Sequence, residues 1–443
     1  MKKIIYALAI TSVCFSCKCR CGDTTVNKND EVVKENTTPF PFYPNEDNLK
    51  GRVFSAATAR AYNNYESNRI LDNQLYSNFF YTPIKFDYNG GDGTISRRDV
   101  SKVILVDGLY YVYYTYRNTK TPLMGPNKYS DVTPSVDWDL SEIWYATSPN
   151  GFTWTEQGVA VPRPPKPELG CRSISTADVL VWEGKYYIYY QAYNKPSGYG
   201  HDRSCVTMSY SDSPRGPFKP CNKVIIDLGE SDAWDNRCIH DPYPLVHNGQ
   251  IYIYYKSGFD HWDANNHDWC CAGVTIGDSP EGPFKKHHLN PLFNSGHETA
   301  LFPYKEGVAA FVTRDGLEHN TMQYAEDWVN FEIKSFVGLP PTAAGAYVPD
   351  AFTDTKYGLG ITWGLCHFTD QGGAGKNHSI LARFDCDLSL DLDDPAMKRH
   401  STIISDEEYF KKKITPAQKA RIMKTAIQTA WGSKTYNDTR NIK

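Results

Sequence analysis

The 443-residue chain carries 47 Lys and Arg against 51 Asp and Glu, and its formal net charge is −4. No run of Lys or Arg stands out, which argues against a nucleic-acid or acid-binding surface and makes a neutral partner the better fit. The 31 Tyr, 20 Phe and 10 Trp favour β structure and stacking on sugar rings, although half-buried strands alone would account for most of the tyrosines.

The first seventeen residues, MKKIIYALAITSVCFSC, predict an export signal, because a basic start is followed by an apolar run too short to span a bilayer. The ending CFSC is similar to a lipoprotein signal in which Cys17 would be lipidated, with ordinary signal cleavage as the alternative. We expect an exported chain, periplasmic or anchored at the outer membrane by its lipid. Residues 18–50 are polar and predict a flexible tether.

Helical patterns occur near both ends of the chain. Apolar residues recur at helical spacing from Ser55 to about Tyr76, with Ser55 as a candidate N-cap. A second helix is predicted from Thr415, its N-cap, to Gly432, which would end it. The apolar stripe of this second helix needs a packing surface, and a neighbouring subunit is one candidate.

Between these ends, the chain repeats a unit of strand, turn ending in Gly, and second strand, followed by a further strand pair. The unit occurs five times, with turn glycines at Gly108, Gly184, Gly249, Gly307 and Gly358. This period predicts an all-β, five-bladed β-propeller with helical appendages. The predicted segments are a signal (1–17), a tether (18–50), an N-terminal helical arm (51–94), the propeller (95–398) and a C-terminal helical segment (399–443).

Acidic residues lead most of these hairpins. Four of them lie eight or nine residues before the turn glycine: Asp99, Asp241, Glu298 and Asp350. Asp178 lies only six residues before Gly184, so the equivalent position in the second hairpin belongs to Ser175 or Thr176. The first strand of each propeller blade runs beside the central axis, so we expect these side chains to converge at one end of the channel.

Carboxylates gathered in one small funnel repel each other and lose hydration, so stability alone does not explain them. In different environments they can divide the roles of general acid and general base, which suits cleavage of a glycosidic bond. Two other interpretations stay open. The acids could hold a cation such as Ca²⁺ or Mg²⁺, or bind a sugar without cleaving it, or they could simply cap loops.

Twelve cysteines are present, four within residues 14–21 and eight between residues 171 and 386. An oxidising compartment would permit disulfides, but the spacing selects no pairing and matches no zinc site. One loop is rich in His and Asp and could bind a metal, with polar decoration as the simpler interpretation: His261, Asp263, His267 and Asp268.

Several long blocks between residues 55 and 430 resemble glycoside hydrolase family 117: RRDVSKVI, DWDLSEIWYATSPNGFTW, IHDPYPLVHNGQIYIYYKSG, NSGHETALFPYKEGVAAFV and VPDAFTDTKYGLGITWG. The resemblance implies a five-bladed propeller that removes 3,6-anhydro-L-galactose from the non-reducing end of neoagaro-oligosaccharides by cleaving an α-1,3 bond. It also implies a homodimer that exchanges N-terminal helical segments.

The resemblance assigns the general base to Asp99 and the second and third central carboxylates to Asp241 and Glu298. It makes His297 the general acid, with Glu298 as the alternative proton donor, and it implies inversion at the anomeric carbon. No cofactor is required by this scheme, although a divalent cation held through water near the axial carboxylates is an option. Further candidates for substrate binding are Trp138, Ser175, Thr176, Gln191, His240 and Asp350.

Two rival functions remain open at this point. One is a different five-bladed glycosidase that trims arabinan or xylan, because the fold and an axial trio of acids are widely shared. The other is a glycan-binding surface lipoprotein without catalytic activity.

Overall fold

A computed structural model describes residues 35–41, 44–62, 75–125, 128–197, 203–258, 270–297, 299–314, 316 and 318–390. Several predicted features lie outside these residues: the export signal with Cys17, the helix from Thr415 to Gly432, Glu298, and the four His and Asp residues of the 259–269 loop. Among the described residues, no helix has both the length and the apolar character needed to cross a membrane.

Two α-helices precede the β structure. α1 (Glu46–Leu49) begins at a capping box formed by Asn45 and Asn48, and α2 (Ala56–Tyr62) begins after Ser55. The Oγ of Ser55 accepts a hydrogen bond from Thr58 N at 3.2 Å, as its predicted N-cap role requires. A 3₁₀ turn follows later, at Asn89–Gly91.

The ends of two predicted segments differ from the structure. Leu75 and Tyr76 are not helical, because the Leu75 side chain is buried in the core between the sheets. Residues 36–50 belong to the predicted tether, yet Phe40 is buried against the second and third sheets, and Pro41 forms a β-bridge with Ala233. Burial of one aromatic ring is enough to fix this part of the chain to the folded body.

Twenty-one strands form four antiparallel sheets in the described part of the chain. The first sheet contains β2 (Ile95–Val100), β3 (Ile104–Val106), β4 (Leu109–Asn118), β5 (Glu142–Ser148) and β6 (Thr155–Val161). The second contains β7 (Ser173–Trp182), β8 (Lys185–Tyr193), β9 (Cys205–Ser211) and β10 (Lys219–Pro220). The third contains β11 (His240–His247), β12 (Gln250–Gly258), β13 (Cys270–Gly277) and β14 (Lys285–Lys286).

The fourth sheet has eight strands and combines the fourth and fifth predicted units. Its members are β15 (Ala300–Lys305), β16 (Gly307–Val312), β17 (Thr321–Ala325), β18 (Glu332–Phe336), β19 (Gly345–Ala346), β20 (Gly358–Gln371), β21 (His378–Ser389) and β1 (Phe80–Pro83). Two residue pairs join the halves, Tyr304 with Leu359 and Lys305 with Gly358. Because of this pairing, the described strands form four sheets where the sequence predicts five, and five separate blades stay a prediction.

The tyrosine-rich strands are buried on both faces. In β4, Tyr111 and Tyr113 pack into one apolar cluster, whereas Tyr114 and Tyr116 pack into another. Alternate residues of a strand point to opposite faces, so this strand is covered on both sides by neighbouring sheets. Most of the tyrosine content therefore builds the core, as the simpler interpretation of the composition predicts.

The hairpin turns follow the sequence prediction in the first three sheets. Each has two residues with positive φ at its centre, ending in Gly108, Gly184 or Gly249. Such turns match the twist of the flanking strands and favour Gly at the second position. Four of the cysteines that the structure describes are free thiols: Cys171, Cys205, Cys221 and Cys366.

Candidate active site

The first strand of three sheets carries a bulge at an equivalent place. The pairing register with the second strand shifts at Asp99 in β2, at Thr176 in β7 and at Asp241 in β11. All three residues have positive φ angles, of 49°, 46° and 51° respectively. This conformation is uncommon for residues other than Gly, and bulges of this kind re-aim side chains near functional sites.

The three bulge residues border one cavity, where about 310 Å³ is free of protein atoms and partly open to solvent. Asp99, Asp241 and Thr176 are far apart along the chain, and the structure brings them together as the register predicts. The remaining lining residues are Val100, Ala177, Asp178, Pro242, Tyr243, Thr299, Ala343 and Ala344. Two carboxylates and a hydroxyl at the rim of one small hollow can contact a single sugar residue.

Asp99 is held by contacts from three directions. Arg98 Nε donates to its Oδ1 and Oδ2 at 3.0 and 2.8 Å, and Thr176 Oγ1 donates to Oδ2 at 3.2 Å. The backbone N–H of Asp99 donates to Nδ1 of His367 at 3.1 Å. The side chain is only 1% exposed, so these partners fix the carboxylate and favour its ionised form.

Asp241 forms an ion pair with the side chain of Lys256. Lys256 lies opposite His240 on β12, and its Nζ is 3.0 Å from Asp241 Oδ2. The two side chains are 7% and 9% exposed, so the attraction between them is weakly screened by solvent. The sequence predicts acids that repel one another, whereas here Asp99 and Asp241 each have a positive partner.

A chain of polar side chains continues from the second sheet to the third. Gln191, opposite Ser175 in the strand pairing, donates through Nε2 to the hydroxyl of Tyr193 at 3.2 Å. That hydroxyl is 3.2 Å from Nε2 of His240. The Oγ of Ser175 and the Oε1 of Gln191 are buried and have no hydrogen-bond partner within the described part of the chain. Unpaired buried polar atoms are costly, so these two are suited to accept a partner from a ligand or water.

Trp138 lies against Arg98, whose guanidinium carbon is 4.8 Å from the centre of the indole ring. Arg98 also reaches Asp137 at 3.5 Å, and burial of the Asp137 carboxyl is outweighed by the nearby guanidiniums, which lower its pKa. The Nε1 of Trp138 has no hydrogen-bond partner among the residues that the structure describes. The ring is thus placed beside the Asp99 end of the cavity with one donor still available.

His297 holds in the fourth sheet the position that His240 holds in the third. The backbone N–H of His297 donates to Thr313 O at 3.1 Å, and Thr313 Oγ1 donates to His297 O at 3.0 Å. Thr313, which directly follows β16, is therefore the hydrogen-bond partner of His297. Thr299, two residues later, lines the cavity. His297 therefore lies on a segment that borders the hollow, while Glu298 lies outside the described residues.

Asp350 does not take the place that the register predicts. Ala343, with a φ of 48°, lines the cavity from the fifth predicted unit, and Thr342 O accepts a hydrogen bond from His367 N at 3.2 Å. Asp350 is not among the lining residues and instead accepts from Leu359 N at 3.2 Å. The spacing of Asp350 from Gly358 does not predict its position, because an irregular segment rather than a two-residue turn separates β19 from β20.

The sequence reasoning missed the residues on the second strands that support the bulges. Thr115 accepts from Thr176 N at 2.7 Å, Lys256 pairs with Asp241, and His367 accepts from Asp99 N. A signal for the first three sheets exists, since Thr115, Gln191 and Lys256 each lie seven residues after a turn glycine. His367 follows no such spacing.

A metal ion finds no direct ligand set here. Within the part of the chain that the structure describes, no group of three His, Cys, Asp or Glu side chains is placed to hold one. Asp99 and Asp241 already contact protein cations. These two carboxylates therefore do not fit a directly bound ion.

Comparison with known proteins identifies the family. No family model and no curated protein matches the chain. Two distant solved structures are a protein described as a glycoside hydrolase, 13% identical with a TM-score of 0.48, and a GH43 β-xylosidase/α-arabinofuranosidase from a compost metagenome, 16% identical with a TM-score of 0.44. They cover 74% and 69% of this chain, and 95% of their own chains in both cases.

A much nearer relative is a family 117 glycoside hydrolase produced by the marine bacterium Zobellia galactanivorans. It is 54% identical, with a TM-score of 0.69, and the match covers 76% of this chain and 98% of the relative. The resemblance seen in the sequence is therefore confirmed, and this chain belongs to glycoside hydrolase family 117.

Proposed function

We propose that this glycoside hydrolase removes the terminal α-1,3-linked 3,6-anhydro-L-galactose from neoagaro-oligosaccharides, with inversion at the anomeric carbon. The observation that carries the proposal is the placement of Asp99 and Asp241 around one hollow. The family membership supports hydrolysis over binding alone.

In the proposed reaction, Asp99 takes a proton from water as the water oxygen bonds to the anomeric carbon. The bond from that carbon to the departing galactose oxygen breaks, and His297 or Glu298 supplies the proton that this oxygen gains. Arg98 and Thr176 hold the Asp99 carboxylate in a form that can accept a proton. Inversion needs room for the water, and the acid and base of inverting enzymes lie about 6.5–9.5 Å apart.

The remaining side chains supply recognition. Trp138 offers a flat ring and an indole N–H, and Ser175 and Gln191 offer buried polar atoms without partners. Sugar hydroxyls both donate and accept, so they can satisfy all three groups at once. Asp241, paired with Lys256, would orient the proton donor, and His240 would contact the sugar beside it.

The wider organisation of the protein is also part of the proposal. The eight-stranded sheet would comprise two blades of a five-bladed propeller, in which pairing of β1 with β21 closes the ring. The chain would be exported, anchored through lipid on Cys17, and form a homodimer by exchange of N-terminal helical segments. Deleting residues 41–80 and measuring the solution mass tests the exchange, since a dimer that persists would contradict it.

The activity is tested with neoagarobiose as substrate and released 3,6-anhydro-L-galactose as the readout. We expect the wild type to release the sugar and Asp99→Asn to be slower by on the order of 10³-fold, because a general base contributes about 10²–10⁴-fold. Asp107→Asn, in the exposed turn of the same sheet, is the matched control and should keep its activity. Equal hydrolysis by wild type and Asp99→Asn would refute the assigned role of Asp99.

A further inference from the structure

A buried ion pair lies directly beneath the candidate catalytic residues. Lys102 Nζ contacts Asp178 Oδ2, and the two side chains are 1% and 4% exposed. The backbone N–H of Lys102 also donates to Asp178 Oδ1 at 2.7 Å. One carboxylate in β7 of the second sheet therefore binds both the side chain and the main chain of a residue in the first sheet.

This pair is close in sequence to each bulge residue. Lys102 follows Asp99 by three residues, and Asp178 follows Thr176 by two. Thr176 Oγ1 in turn donates to Asp99 Oδ2 at 3.2 Å. The segments 99–102 and 176–178 are thus joined by two contacts, that of Thr176 with Asp99 and that of Asp178 with Lys102.

The third sheet meets the same pair. Lys102 Nζ lies 3.7 Å from the ring centre of Tyr243, which follows Asp241 by two residues. Asp178 and Tyr243 both line the cavity beneath the bulges. Asp178 is therefore part of the cavity wall, and through Lys102 the charged pair joins segments of all three sheets whose first strands carry a bulge.

Stability alone gives little reason to keep such a pair. Removing two charges from water is costly, and well-packed apolar replacements of buried pairs are often neutral or stabilising. Burial lowers the pKa of Lys102 to about 8 and raises the pKa of Asp178, although each partner's charge opposes the shift. Both pKa shifts favour the uncharged forms, so burying the two charged groups costs folding free energy.

We propose that Lys102 and Asp178 are positioning residues, which hold the general base Asp99 and the hydroxyl of Thr176 in register with each other across the first two sheets. The inference rests on the proposed role of Asp99. The Asp178 carboxylate positions Asp99 mainly by accepting the hydrogen bond from the backbone N–H of residue 102, because that hydrogen bond fixes the main chain next to the base. Misplacement of a reacting group by about 1 Å is enough to slow a reaction roughly 10²-fold.

Two double variants separate this role from simple stabilisation. Single substitutions leave one buried charge uncompensated and risk failure to fold, so both charges are removed together. Lys102→Met with Asp178→Asn keeps an oxygen that can accept from the N–H of residue 102. Lys102→Met with Asp178→Leu has no such acceptor, whereas the two variants have the same charge, and Leu matches Asn in the number and branching of its side-chain heavy atoms.

Two measurements are made on the full chain once urea unfolding midpoints show that both variants are folded. We expect kcat of the Leu variant to be lower than that of the Asn variant by roughly tenfold to 10²-fold, with a smaller change in KM, because the base is displaced while the sugar still binds. We also expect faster hydrogen exchange at the amide of residue 102 in the Leu variant only. Equal kcat values for the two variants, or an unchanged exchange rate, would overturn the proposal.

Failure of the proposed function gives a different result. If the wild type hydrolyses no neoagarobiose, the substrate assignment fails, whereas the exchange measurement still decides whether Asp178 fixes the segment that carries Asp99.

Discussion

Arg98 and Asp99 are adjacent in sequence and form an ion pair, in which one guanidinium nitrogen contacts both carboxylate oxygens at 3.0 and 2.8 Å. Neighbours along a regular strand point to opposite faces, so this contact exists only because Asp99 lies at a bulge. The strand thus supplies the base together with the cation that keeps it ionised.

Replacing Arg98 with Met should move the acid limb of the pH–activity profile to higher pH. The positive charge favours the ionised carboxylate, so without it Asp99 accepts its proton at a higher pH and the base is lost earlier on acidification. The profile of kcat/KM between pH 4 and 8 is the measurement. An acid limb that stays in place would show that Arg98 does not set the charge of Asp99.

Replacing Ala343 with Leu should weaken substrate binding. Ala343 stands where the other units carry a larger side chain, and its methyl group leaves space at the wall of the cavity. We expect kcat/KM to fall at least about tenfold, since additional carbons in a filled pocket force displacement of the ligand. Leu339→Ala, at a side chain that is 83% exposed, is the control. Unchanged kcat/KM in Ala343→Leu would place the sugar elsewhere.

Replacing Asp350 with Asn should remove a pH dependence of stability. Burial raises the pKa of Asp350 from 3.8 to about 6, so its folded state prefers the protonated form. The stabilising contribution is complete below pH 3.8 and is lost as pH rises through about 6. At pH 7 the Asn variant should be more stable by on the order of 1–3 kcal/mol, with the advantage vanishing near pH 4. Urea unfolding of the wild type and the variant between pH 4 and 7 measures this difference in the free energy of unfolding. A difference that does not change with pH would contradict the prediction.

Replacing Arg383 with Lys should destabilise the fold without changing the site. The Arg383 guanidinium lies between the rings of Phe152 and Trp363, at 3.9 and 4.1 Å, and donates to Gly151 O at 2.9 Å. An ammonium cannot stack in this way, so we expect a loss of about 1–2 kcal/mol in the free energy of unfolding. Arg203→Lys, at an exposed position, is the control. A loss of activity without a loss of stability would contradict this structural role.

The hairpins and the acid register of the first three sheets could be predicted because their determinants are local. A two-residue turn at Gly108, Gly184 or Gly249 fixes the spacing between the first and second strands, so counting back from the glycine finds Asp99, Thr176 and Asp241. The fifth unit has no tight turn, so counting from Gly358 reached Asp350 while Ala343 lines the cavity. Spacing predicts position only where the connection is short.

The partners of the acids could not be predicted, because they come from other strands and other sheets. His367 contacts Asp99 across 268 residues, and Lys102 meets Asp178 across 76. No periodicity in the chain marks such pairs, since they arise only when the sheets are arranged around the cavity. For the same reason, the sequence suggested repulsion among acids that the structure shows to be paired.

The pairing of β1 with β21 has a consequence for biosynthesis. Phe80 is matched with Asp385 and Pro83 with Ala382, so a strand made early waits for about 300 further residues before its ladder can form. Until then its backbone groups are exposed to other chains, and a truncated product would leave an open edge prone to aggregation. Release of the completed polypeptide, rather than emergence of its first sheet, should therefore be the event that commits the molecule to its native state.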